Sequence, residues 1–190
     1  MKLKLIAPLF ALAATAATAQ TTVYSHYENL TNAGTGSQQE LHVGLGQTTK
    51  FGTFSGALVL GRLAYPSRDD TRGFELAYGN SYSLGSATLS GRAALGRQNM
   101  VDTLGGGFTR HFSYYSLGVE AGAPVAQKLK AFIGYRHVNG LNSEELTRNV
   151  FSGGVDYQLT SGTSVRVGYL HARQREKALN GGTLGITYRF

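Results

Sequence analysis

The sequence has no cysteine, which excludes a disulfide framework and a thiolate metal site. It also has no apolar run long enough to cross a bilayer as a helix, which takes about 20 residues. The run from Leu5 to Ala14 is too short, and later apolar stretches are broken by glycine or a polar residue within a few positions. Basic blocks are missing as well. The formal charge is +7, but it is spread along the chain and not gathered into an arm, so no nucleic-acid partner is expected.

What is present begins with the N-terminus. "MKLKLIAPLFALAATAATAQ" carries two lysines, a short apolar run, and small residues ending Ala17-Thr18-Ala19. That is the layout of a secretory signal peptide cleaved before Gln20. Residues 1–19 are therefore expected to be removed, leaving 20–190 as one domain. Glycine, at 26 residues, and tyrosine, at 11, are abundant in the full chain.

From residue 20 onward the pattern has period two. "ELHVGLG" sets Leu41, Val43 and Leu45 against Glu40, His42 and Gly44; "SVRVGYLH" sets Val165, Val167 and Tyr169 against Ser164, Arg166 and Gly168. The chain ends in the same way: Leu184, Ile186, Tyr188 and Phe190 alternate with Thr183, Gly185, Thr187 and Arg189. Ten strands are predicted, over 22–30, 39–48, 54–65, 72–82, 86–97, 111–122, 128–138, 148–159, 163–173 and 182–190. Eight or twelve remain alternatives, because the first strand and the third loop are weakly patterned. Short turns are expected near Lys50–Gly52, Tyr82–Gly85, Ala123–Gln127 and Thr160–Gly162, with longer connections at 31–38, 66–71, 98–110, 139–147 and 174–181.

If each short turn closes an antiparallel hairpin, facing residues have a constant index sum. Plausible turn centres then place Glu40 opposite Arg62, Glu75 opposite Arg92, Glu120 opposite Lys130 and Asp156 opposite Arg166, all on the polar side. Arg136 and Arg189 share that side. Aromatic residues gather near both strand ends, as interfacial girdles require: Tyr24, Phe51, Phe54, Tyr82, Tyr157, Tyr188 and Phe190 by the short turns, and Tyr65, Tyr135 and Tyr169 by the longer connections.

These features together resemble a small Gram-negative outer-membrane β-barrel, of the porin-like and OmpA/OmpX-like kind. The signal-like N-terminus, the period-two strands and the closing "TLGITYRF" carry the resemblance. It implies an all-β antiparallel transmembrane barrel in the bacterial outer membrane, with short periplasmic turns and longer extracellular loops. Apolar residues would face lipid, and the charge pairs would line the lumen. The terminal strand (Ile186, Tyr188, Phe190) would be read by the outer-membrane assembly machinery. The expected surroundings are outer-membrane lipid and lipopolysaccharide, with small anionic solutes as candidate cargo.

Catalytic and metal sets are hard to assemble. Asp69-Asp70, flanked by Arg68 and Arg72, reads as a solvated turn and not as a protease acid pair. His26, His137 and His171 have no serine placed for activation. Glu40 and His42 share a face, but a metal site needs three or four ligands. No enzyme, cofactor or metal is expected. The expected role is a porin-like small channel or a structural membrane component with a charge-paired lumen. The alternative is an adhesin-like or receptor-like barrel that binds through loops such as the basic segment Ala172–Lys177, with a lipid A-modifying or proteolytic barrel enzyme as a third and less favoured reading.

Overall fold

The computed structural model describes residues 20–32, 36–64, 68–102, 109–143, 146–175 and 177–190; the expected signal segment 1–19 lies outside them. The alternating segments form ten antiparallel strands: β1 (Gln20–Asn32), β2 (Gly36–Thr49), β3 (Gly52–Ala64), β4 (Arg68–Leu84), β5 (Ala87–Asp102), β6 (Thr109–Ala126), β7 (Leu129–Gly140), β8 (Arg148–Gln158), β9 (Thr163–Gln174) and β10 (Lys177–Arg189). Each pairs with its sequence neighbours, and β10 returns to β1 with Thr22 opposite Arg189 and Thr31 opposite Asn180. Closure leaves no sheet edge, so every strand finds partners on both sides without help from water. No helix among the described residues is long and apolar enough to cross a membrane.

The strands run further than the hydrophobic pattern indicated. β4 starts at Arg68, not near 72, and β6 spans Thr109–Ala126, not 111–122. An antiparallel ladder satisfies backbone groups whatever the side-chain polarity, so polar tips continue pairing beyond the apolar band. At one end the strands are joined by Lys50–Phe51, Gly85–Ser86, Gln127–Lys128 and residues 159–162, and this end also holds both termini of the barrel. Gly85 takes φ 64°, the conformation a two-residue II′ hairpin requires at its first central position. The strand ends that these turns do not join, such as Asp102 of β5 and Gly140 of β7, lie at the other end.

The apolar rows face outward. Leu184, Ile186 and Tyr188 on β10, and Phe190 just after it, are all about half exposed or more, the reverse of a soluble barrel. Phe54, Tyr82 and Tyr157 join Tyr188 and Phe190 in an exposed belt by the short turns, while Tyr135 and Tyr169 point outward near the opposite end. Tyr24 does not belong to that belt. It shares the parity of Thr22 and His26 and points into the lumen, where its ring lies over Gly44, its cross-strand partner. A Cβ at Gly44 would sit 2.6 Å from the Tyr24 ring. Tyr114 covers Gly96 in the same way, so glycine makes room for lumen rings in a barrel only slightly wider than one filled by side chains. Tyr65 lies outside the described residues.

The lumen has two unlike halves. Towards the longer connections it is packed by two apolar clusters, one of Leu30, Val150, Leu170, Ala172 and Leu179, the other of Met100, Phe112, Tyr114, Val138 and Leu146. Leu146, just before β8, packs inward. Asn142, just after β7, donates to the carbonyl of His111 (2.8 Å) and accepts from the amide of Ser113 (2.9 Å). Towards the short turns the lumen opens into a cavity of about 1020 Å³, lined by residues of all ten strands.

Candidate functional site in the lumen

Period two on a closed sheet delivers every second side chain to the interior, so the polar rows read from the sequence converge there. The floor of the packed half is a double ion bridge. On one wall Glu28 (β1) lies directly across from Glu40 (β2); on the other Arg136 (β7) lies diagonally from Arg148 (β8), whose direct partner is Val138. Like charges on adjacent strands repel. Here each wall is neutralised from the far side: Arg136 donates to both oxygens of Glu28 at 2.8 and 2.7 Å, and Arg148 donates to Glu40 Oε2 at 2.7 Å. Both bridges join strands four steps apart around the ring in one direction and six in the other, so they cross nearly the full width of the lumen.

Neighbouring side chains complete the bridge. His26 donates from Nε2 to Glu28 (3.0 Å), and Gln38 donates to Glu40 (3.0 Å). Glu28, Glu40 and Arg148 are each 6% exposed or less. A charge that deep without a partner would cost several kcal/mol (roughly 3–5 when one member of a pair is removed), so the four groups hold one another in place.

Two further ion groups line the open half. Glu75 accepts from Arg92 Nη2 (2.6 Å) and from the Tyr114 hydroxyl (3.0 Å). Arg166 is clamped by two carboxylates: Nε and Nη2 donate to Asp156 at 2.7 and 2.8 Å, and Nη1 and Nη2 donate to Glu120 at 2.7 and 2.9 Å. Its guanidinium also lies 4.0 Å from the centroid of the Phe132 ring. That planar fork can engage two acids and a ring at once, which an ammonium cannot. Lys128, Lys130 and Arg189 add positive charge around the cavity lining.

The hairpin arithmetic fares unevenly. Asp156 and Arg166 are direct partners. Glu75 and Arg92 are bonded, but the turn lies two residues later than the assumed centre, so Arg92 sits opposite Gly79 and reaches along the strand. Glu120 does not pair with Lys130. The turn lies at Gln127–Lys128, two residues later than the assumed centre, and together with a β-bulge at Pro124/Ala126 this places Lys130 opposite Pro124, so that Glu120 takes Arg166 instead. Glu40 does not face Arg62 either. The β2–β3 register puts Gly61 opposite Glu40 and turns Arg62 to the outer wall, where it binds Asp70 (3.0 Å). A one-residue difference in register is enough to move a side chain to the other face.

Glu28, Arg148, Tyr114 and Leu146 were not singled out from the sequence. Glu28 and Arg148 share the parity of their strands' polar rows, which was the available signal. Their partners lie 108 residues away, and hairpin arithmetic does not reach across the lumen. The catalytic candidates separate. Asp69 is buried on the lumen side, whereas Asp70 is on the outer wall with Arg62. His26 faces the lumen, while His137 and His171 face outward and bond Asn149 and Asn180. No group of three or more potential metal ligands converges among the described residues.

The family model described as Gram-negative porin matches residues 8–177. Two solved barrels share the fold. The translocator domain of the autotransporter NalP from Neisseria meningitidis aligns over 98% of this chain and 94% of its own, at 15% identity and TM-score 0.53. The β domain of the Bordetella autotransporter BrkA aligns over 90% and 98%, at 14% identity and TM-score 0.55. At these identities the likeness is one of fold alone. No curated protein matches the sequence.

Proposed function

The chain belongs to the Gram-negative porin family and resides in the bacterial outer membrane, and we propose that it acts there as a narrow pore, closed at rest by its own lumen contacts. The observation that carries this reading is the junction between the two halves. A polar, periplasm-facing vestibule of about 1020 Å³ ends on the Glu28–Arg136 and Glu40–Arg148 bridges and the inserted Leu146. A purely structural filling would need no vestibule, because apolar side chains could occupy that space at lower desolvation cost. Six basic and four acidic side chains line the vestibule, which favours small anions over cations. Family membership supports a non-catalytic role, and the alternating apolar row ending at Phe190 supports delivery by the outer-membrane assembly machinery.

Planar-bilayer recording tests the pore reading. The native chain is expected to give rare, small conductance steps. The charge-neutral double substitution Glu40→Gln/Arg148→Gln is expected to give larger steps with anion preference. A double variant that folds but stays silent, or one that prefers cations, would refute it. The two apolar clusters sealing the outer half favour a second reading, a non-conducting barrel that presents its loops to a surface ligand. Silence of both chains, together with loss of cell or glycan binding on loop deletion, would establish that reading in place of the first.

A further inference from the structure

The outer wall carries an arrangement that the lumen does not explain. Arg62, Arg72 and Arg97 occupy outward positions on three adjacent strands, β3, β4 and β5. Arg62 is paired across the ladder with Asp70 and Arg97 with Phe74, so each lies one diagonal from Arg72, about 7–8 Å between Cα atoms for such neighbours. Asp70 binds Arg62 and is the one carboxylate ion-paired with any of the three among the described residues. Mutual repulsion there calls for an external anion.

Depth sets the nature of that anion. From Tyr82 in the periplasmic aromatic belt to Arg72 is ten residues of β4. At a rise of about 3.4 Å per residue and a tilt near 40°, this is about 25 Å, the height of the lipid-facing band. The arginines therefore lie at its extracellular rim, at the level of outer-leaflet headgroups. Directly beneath them, Leu60, Phe74 and Leu95 are 46–64% exposed and form a continuous apolar track. The flanking rim is largely neutral: His111 donates to Asn99, which lies opposite Arg72, and His137 and His171 donate to Asn149 and Asn180, all at 2.7–2.8 Å, with Tyr135 and Tyr169 adding bonds to the last two.

We propose that Arg62, Arg72 and Arg97 form a binding site for the phosphate-bearing headgroup of an outer-leaflet glycolipid, whose acyl chains lie along Leu60, Phe74 and Leu95. Guanidinium groups bind phosphate through paired, charge-assisted hydrogen bonds, and three of them on one arc match a headgroup with more than one phosphate. The inference rests on the outer-membrane location alone and stands apart from the pore reading.

The test measures binding of diphosphoryl lipid A to the detergent-folded barrel by native mass spectrometry, with dephosphorylated lipid A and inorganic phosphate as the other arms. Expected losses, relative to native barrel with diphosphoryl lipid, are about tenfold for the dephosphorylated lipid and about tenfold for R62Q/R72Q/R97Q. The single Arg72→Gln is expected to lose about threefold and to keep the assay interpretable if the triple variant folds poorly. Arg173→Gln, outward on β9, should bind as the native chain does. Unchanged binding by the arginine variants would overturn the proposal, as would displacement of the lipid by millimolar inorganic phosphate, which would mark a site for the free ion.

Discussion

Arginines inside the barrel and arginines on its outer wall follow opposite rules. Within, Arg136, Arg148 and Arg166 each meet a carboxylate at 2.7 Å, and Arg166 meets two. Outside, among the described residues, Arg62 alone of Arg62, Arg72 and Arg97 meets a carboxylate, and that Arg62–Asp70 pair is 47% and 36% exposed. In the packed half an unmatched charge is costly, so Glu28 and Glu40 are each matched by an arginine, whereas the open vestibule carries a surplus of bases. The outer rim borders headgroups and water, where excess charge is tolerated and available for binding. Charge count alone would not separate these two sets; surroundings do.

The strongest way to break the contrast is Arg148→Gln, which leaves Glu40 buried with its cation removed. The expected loss is about 3–5 kcal/mol in urea unfolding of the barrel from lipid vesicles. Adding Glu40→Gln should recover more than half of it; equal destabilisation of single and double variants would show that pairing is not what matters at this position.

Leu146→Ala probes the plug beside the bridge. A loss of about 2–4 kcal/mol is expected from the vacated volume, accompanied by larger conductance steps. A stability loss without altered conductance would separate packing from closure. Arg166→Gln should cost less, about 1–2 kcal/mol, because its partners Glu120 and Asp156 are 30% and 23% exposed and solvent screens the two carboxylates. It should also weaken the anion preference, since it leaves both acids in the vestibule without their base.

The outer wall gives the smallest effect on stability. Arg62→Gln is expected to change unfolding by less than about 1 kcal/mol. A cost comparable with that of Arg148→Gln would mean that the rim is as dry as the lumen, and the comparison would fail.

The barrel was legible because period-two alternation is local. Most strands show it within their own segments, β1 only weakly, and β10 shows it along its whole length. The lumen pairs were legible where both members flank one tight turn without a bulge, as Asp156 and Arg166 do around residues 159–162. Where the turn centre shifted, as for Glu75 and Arg92, the residues were right and the register was not. Arg62 was misplaced because one residue of register changes the face, and the sequence around Lys50–Gly52 does not fix the turn to that precision. Tyr24 was misread for a related reason: an aromatic near a strand end suits a girdle, but its parity sends it inside.

By itself the sequence determined the class of fold, the alternation of lipid-facing and lumen-facing rows, and the polar character of the interior, because these depend on neighbours one or two residues apart. Only the closed sheet decided which charges meet. Glu28 and Arg136, like Glu40 and Arg148, are 108 residues apart and come together because ten tilted strands bring opposite walls within reach of two side chains. Such encounters are set by register summed around the ring, and that sum is a property of the whole barrel.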